Sequence, residues 1–169
     1  MTDFHALYVR HAPSVRRLLL FLCGNPALAD DITSETFVRA LTAPGPVREE
    51  TVRAYLFTIA RNLLHDSRRR TSRNTAIDQT VPDAGVSLAR QAEIRSELDF
   101  VLTIVQELAE VDRAALLMRA QEDMPYEEIA HTLGLSLAAV KVKIHRARCK
   151  IMQATKTQDQ RSDGPEKTP

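Results

Sequence analysis

Residues Pro125 to Ile151 read PYEEIAHTLGLSLAAVKVKIHRARCKI. This stretch predicts two short helices around a tight turn. Pro125 suits a first helical turn, where its missing N–H would be unpaired anyway, and Ile129, Ala130 and Leu133 then form one apolar stripe. Gly134 ends that helix, because the residue just past a helix often turns left-handed and glycine does so without a Cβ penalty. Ser136 is placed to cap the next helix by accepting a backbone N–H bond. Val140, Ile144, Ala147 and Ile151 follow at spacings of four, three and four, which gives that helix a buried face.

Opposite that face stand Lys141, Lys143, His145, Arg146, Arg148 and Lys150, and no acid occurs between Ser136 and Gln153. Phosphates are the matching counterpart. Small Ala130, the turn at Gly134 and apolar Val140 supply the close approach, the reversal and the packing anchor that a helix-turn-helix needs. A charge run by itself usually marks only a solvated helical face. Here the glycine turn, the cap and the one-sided basic helix coincide, which favours DNA binding.

A chain of 169 residues fits one large or two small domains. With a net charge of +1, a DNA binder must segregate its charge, and the basic residues do cluster, at Arg61 to Arg73 and at Lys141 to Lys150. Cys23 and Cys149 are far apart and form no CxxC pair, so two reduced cysteines are expected rather than a disulfide framework or a zinc site. Arg16-Arg17 ahead of Leu18 to Cys23 superficially suggests an export signal, but the apolar run is short and belongs to a longer amphipathic pattern. No stretch is long enough to span a membrane. A cytoplasmic location without membrane contact is the expectation.

Taken in order, Phe4, Leu7, Tyr8, Val15, Leu18, Leu19 and Leu22 keep a helical period from Asp3 to Leu22, with a kink or a break expected at Pro13. Gly24-Asn25-Pro26 is a turn with Asn25 as a cap. A second helix is expected from about Pro26 to Leu41, with Ile32, Phe37 and Leu41 inward and Asp30, Asp31, Glu35 and Arg39 outward. Thr42-Ala43-Pro44-Gly45-Pro46 is expected to be a loop, because two prolines and a glycine within five positions deny helix and sheet alike. A third helix is expected from about Glu50 to Arg70, with Leu56, Ile59, Ala60, Leu63 and Leu64 facing a core. Thr71 to Ser87 loses periodicity and reads as a linker. Helical pattern returns from Leu88 to Leu108 and from Glu110 to Gln121. The tail after Met152 has no apolar anchor and is expected to be disordered.

Three stretches in this order carry a family resemblance: ADDITSETFVRAL (Ala29 to Leu41), YLFTIARNLLHDSRRR (Tyr55 to Arg70) and YEEIAHTLGLSLAAVKVKIHRAR (Tyr126 to Arg148). The chain resembles a bacterial RNA polymerase sigma factor of the sigma-70 family, extracytoplasmic-function (ECF) type. That resemblance implies an all-α fold of two small helical domains joined by a flexible linker. Its boundaries would be a region 2-like domain at 1–71, a linker at 72–88, a region 4-like helix-turn-helix domain at 89–153 and a disordered tail at 154–169. It implies core RNA polymerase as partner, through the beta' clamp helices and the beta flap, together with promoter DNA and a restraining anti-sigma factor. No cofactor is implied.

Residue by residue, the resemblance assigns Asp30, Asp31, Glu35, Phe37, Val38 and Leu41 to polymerase binding. The carboxylates also share one helical face and offer acids to a basic partner. It assigns Val47, Arg48, Tyr55, Arg61, Asn62, Arg68, Arg69 and Arg70 to melting and reading the minus-ten element. Strand separation needs cations for the backbone and a place for an unstacked base, with Tyr55 or Phe57 able to stack or to serve as core. Ser136, Lys141, Val142, Lys143, His145, Arg146, Arg148 and Lys150 would engage the minus-thirty-five element. Arg146 is the best candidate for reading sequence, since arginine bonds guanine edges bidentately. Ala109, Leu41, Ala139 and Val142 depart from residues common in the family, which leaves the promoter sequence open.

Glu128 and His131 have the Glu-x-x-His spacing of di-iron bundles, but that chemistry requires a second such pair and further carboxylates. Neither a phosphate loop nor a nucleophile motif occurs, so no enzyme is expected. The rival reading is a stand-alone dimeric helix-turn-helix regulator bound to a palindrome.

Overall fold

The structure, a computed structural model, describes residues 4–43, 51–74, 100–101 and 103–162. Those residues are helical apart from turns and short connections. Among the described residues, helices with both ends defined follow in order: α1 Phe4–Cys23, α2 Pro26–Thr42, α3 Val52–Asn74, α4 Glu110–Ala120, α5 Tyr126–Leu133 and α6 Leu137–Ser162, and residues 103–106 are helical as well. Val47 and Arg48, most of the proposed linker, and the pattern from Leu88 to residue 99 lie outside the described residues.

Pro13 neither splits nor ends α1, so of the kink or break expected there the break does not occur. A proline inside a helix costs roughly 3 kcal/mol. Ala12, Val15, Leu18, Leu19 and Leu22 are all buried along one stripe of this helix, and each of the larger ones gains about 1.5–3 kcal/mol from burial. Packing therefore outweighs the lost bond.

Gly24 adopts φ +68, and Asn25 caps α2 by accepting the Leu28 N–H at 3.1 Å, with Pro26 opening the helix. Buried Thr33 and Thr36 donate to the carbonyls of Ala29 and Ile32, so neither hydroxyl is orphaned. Leu41 departs from the expected inward position and is 52% exposed, because it falls off the stripe formed by Ala29, Ile32, Phe37 and Ala40. In α3, Leu56, Phe57, Ala60, Leu63 and Leu64 are buried. This helix continues to Asn74, past the expected end near Arg70 and into the stretch assigned to the linker.

α6 corrects the sequence reading most. It continues through Ser162, well into the tail expected to be disordered. Residues 153–162 contain no glycine or proline, and Thr155 and Thr157 bond back to the carbonyls of Ile151 and Gln153. The stretch extends a helix already nucleated upstream, so each added residue gains a backbone bond without the cost of a new nucleus.

The two halves do not stand apart. α1 packs on α4 and α3 packs on α5, and one buried cluster runs from Val15 and Leu64 through Leu108 and Met118 to Ile144. Polar contacts stitch the same seam. Arg61 Nε and Nη2 donate to the two carboxylate oxygens of Glu110 at 2.9 and 3.0 Å, Arg53 Nη1 donates to the Glu122 carbonyl at 2.7 Å, and Gln106 Nε2 donates to the Phe21 carbonyl at 2.9 Å. The Glu122 carboxylate lies 3.4 Å from Arg17 and 3.9 Å from Arg53.

Burial works to raise the pKa of Glu110, but the hydrogen bond and charge of Arg61, with His65 and Arg68 nearby, hold it below the usual 4.5. A depressed carboxylate contributes stability that is fully present above its unfolded pKa and is lost as pH falls through the folded one. Urea unfolding followed from about pH 6 to about pH 3 should therefore show an acid-limb loss. Glu110→Gln should flatten that loss, and an unchanged slope would refute the assignment.

Candidate nucleic-acid interface

The helix-turn-helix is built as its residues require. Pro125 sits at the N-cap, one residue before the helical turn expected for it, and its carbonyl accepts the Ile129 N–H at 3.0 Å. Gly134 closes α5 with φ 65 and ψ 37, and Leu135 N bonds Ala130 O at 2.9 Å in the helix-ending pattern that favours a left-handed residue. No atom lies within 4 Å of where a Cβ would stand, so Gly134→Ala would meet only backbone strain. The expected loss is about 1–2 kcal/mol in urea unfolding. Ser136 Oγ accepts from Ala139 N at 3.1 Å, which caps α6 and fixes its direction.

Val140, Ile144 and Ala147 are buried and Ile151 is half-buried, which turns the opposite side of α6 to solvent. Lys141, His145, Arg146, Arg148 and Lys150 are exposed there, as is Ser136 at its start. Val142 lies among them, 48% exposed, an apolar spot in a cationic field. Lys143 departs from the expected phosphate role. It is half-buried and its ammonium pairs with Asp112 at 3.0 Å, so much of its charge is already spent within the domain. Lys150 Nζ reaches the Glu107 carbonyl at 3.4 Å.

Tyr126 was missed by sequence reasoning. Arg119 lies 5.1 Å and Lys141 5.9 Å from its ring centroid, so the phenol face holds two cations at the entrance to α6. An aromatic at the start of α5 was the available signal, but no spacing in the sequence links it to Arg119.

The α3 residues divide. Asn62, Arg69 and Arg70 are exposed, and Arg68 donates to the Leu22 carbonyl at 2.7 Å. Phe57 is fully buried and Tyr55 packs half-buried against the core, so Phe57 is a core residue and not a stacking platform. Arg61 is not free for DNA either, because Glu110 occupies the Nε–Nη2 edge of its guanidinium and the side chain is largely buried.

On α2, Asp31 is exposed, Asp30 pairs with Arg16, and Glu35 pairs with Arg39 at 3.0 Å. Val38 is 53% exposed beside Leu41. Phe37 cannot join them at a partner surface, since it is 1% exposed and its ring meets Tyr8 at 4.8 Å and Phe4 at 6.5 Å. Its position one turn from Thr33 on the buried stripe is the reason.

His131 is exposed and no group of three or more His, Cys, Asp or Glu is assembled among the described residues. Among them, no helix is long and apolar enough to cross a membrane.

Comparison with known proteins converges on one family. The Sigma-70 region 2 family model matches residues 7–74 and the Sigma-70, region 4 model matches residues 101–151. The chain is 31% identical over 147 residues to the ECF RNA polymerase sigma factor SigL of Mycobacterium tuberculosis, covering 84% of this chain and 82% of that protein. It is 29% identical over 150 residues to the ECF RNA polymerase sigma factor SigM of Bacillus subtilis, covering 86% and 90%. The solved structure of CnrH in complex with the cytosolic domain of CnrY is similar at a TM-score of 0.66 and 27% identity, over 91% of this chain and 88% of that one. The sigma factor RpoE from Bartonella quintana, solved with the anti-sigma factor NepR, shares the fold at a TM-score of 0.69 and 20% identity, over 92% and 98%. With both sigma regions present in order on an all-helical scaffold, the chain belongs to the ECF RNA polymerase sigma factors.

Proposed function

We propose that α2 docks on core RNA polymerase, that α3 meets the melting minus-ten element, and that the exposed face of α6 enters the minus-thirty-five major groove. The observation that carries this reading is the segregation of surface chemistry. Exposed Asp31, Val38 and Leu41 lie on α2, while Lys141, His145, Arg146 and Arg148 lie opposite the buried stripe of α6. Charge steers the encounter and the apolar pair adds contact area. On α3, Asn62, Arg69 and Arg70 are the side chains available without rearrangement.

Retention of the purified chain by core polymerase, followed by transcription from a supercoiled template, tests this function. Asp31→Arg should weaken core binding by about 1–2 kcal/mol, roughly tenfold. Unchanged binding would remove α2 from the interface. The family favours this reading over a stand-alone dimeric regulator, which would bind a symmetric operator without polymerase.

A restraining partner fits as well. CnrH, the 27% identical relative, was solved with the cytosolic domain of CnrY. By analogy, a protein partner bound in the same way would act as the restraining anti-sigma factor that the family resemblance implies, covering polymerase-binding surfaces of this chain. Purification from the native cell should recover such a partner, and a factor always found alone would count against it.

A further inference from the structure

We infer that this chain restrains itself: its C-terminal half closes on α3 through the Arg61–Glu110 pair and through Glu122, and this seam must part before Arg61 can meet DNA. The functional half of this inference rests on the melting role proposed above. The closure does not.

Arg61 is the decisive residue. Its guanidinium spends two parallel bonds on Glu110, and the two side chains are 13% and 14% exposed. Two of its five N–H donors are committed in this way, and the burial of the side chain leaves the remaining edge little access to a phosphate. His65, 3.6 Å from the same carboxylate, is drawn to that acid as well. Glu122 sets a second latch. It is 7% exposed and lies between Arg17 of α1 and Arg53 of α3, both from the other half of the chain. Its Oε1 has no hydrogen bond, so this buried acid is held by charge without being fully satisfied. Closure thus combines one well-made pair with one strained in its solvation, an arrangement that a competing partner can open. A protein whose competent state is only fractionally populated binds its target more weakly by that fraction.

The test measures distance and affinity separately in the full-length chain. Spin labels at Ser34→Cys in α2 and Gln153→Cys in α6, with Cys23 and Cys149 replaced by serine, report the separation of the halves. The unsubstituted seam should give one short, narrow distance. Glu110→Arg should broaden and lengthen it, with the open-to-closed ratio rising about tenfold, and Arg61→Glu combined with Glu110→Arg should restore the short distance. The milder Glu110→Gln, at unchanged far-ultraviolet helicity, should shift the distribution in the same direction. A broad distribution in the unsubstituted seam, or no response to Glu110→Arg, would overturn the closure. Glu110→Gln leaves Arg61 intact and should lower the concentration needed for half-maximal promoter opening by polymerase. Distances that respond without that gain would overturn the restraint, whereas failure of the unsubstituted chain to bind polymerase would instead overturn the function on which it rests.

Discussion

Phe37→Ala is expected to destabilise the chain by about 3–5 kcal/mol, a large share of the 5–15 kcal/mol that holds a typical domain together. The ring is 1% exposed and meets Tyr8 at 4.8 Å and Phe4 at 6.5 Å, both at steep angles. Truncation removes its apolar burial, leaves a cavity beside α1 and strips both edge-on aromatic contacts, each worth about 0.5–1.5 kcal/mol. Urea or thermal unfolding measures the loss. Val38→Ala, one residue along, serves as the comparison. Val38 is 53% exposed, so its truncation should change stability by no more than about 0.5 kcal/mol. Polymerase binding should fall with Val38→Ala in a chain that remains folded. A Phe37→Ala chain as stable as the parent would show that the core of the first three helices is not organised around that ring.

Arg146→Ala is expected to cost about 1–3 kcal/mol in promoter binding and to relax preference at one position of the upstream element. Arg146 is exposed on the face of α6 opposite Val140, Ile144 and Ala147, which is the face a major groove would receive. Arg148, also exposed, is the proper contrast. As a phosphate contact, its replacement should weaken binding about uniformly across sequences and reduce the salt slope by about 1. Selection from randomised promoters with polymerase containing each variant separates the two. If Arg146→Ala gives the same profile as the parent, that residue does not read sequence and specificity resides elsewhere.

Lys143 shows why surface charge read from sequence overstates what DNA can use. It shares the basic run with Lys141 and Arg146, yet Asp112, distant in the chain, comes within 3.0 Å of it. Arg61 and Glu110 show the same limit on a larger scale. In the sequence Arg61 belongs to a cationic cluster beside Arg68, Arg69 and Arg70, and nothing local distinguishes it from them.

The local chemistry of the chain was legible from residues alone. Asn25 and Ser136 as caps, Gly134 as the left-handed turn, and the stripe of Val140, Ile144 and Ala147 all follow from interactions within a few residues, so pattern determines them. Pro13 inside α1, Phe37 turned inward, Tyr126 beneath two cations and Arg61 locked to Glu110 were decided only when separate helices met. Burial and ion pairing depend on what a side chain faces across space, and a one-dimensional period carries the direction of a face but not the identity of its neighbour.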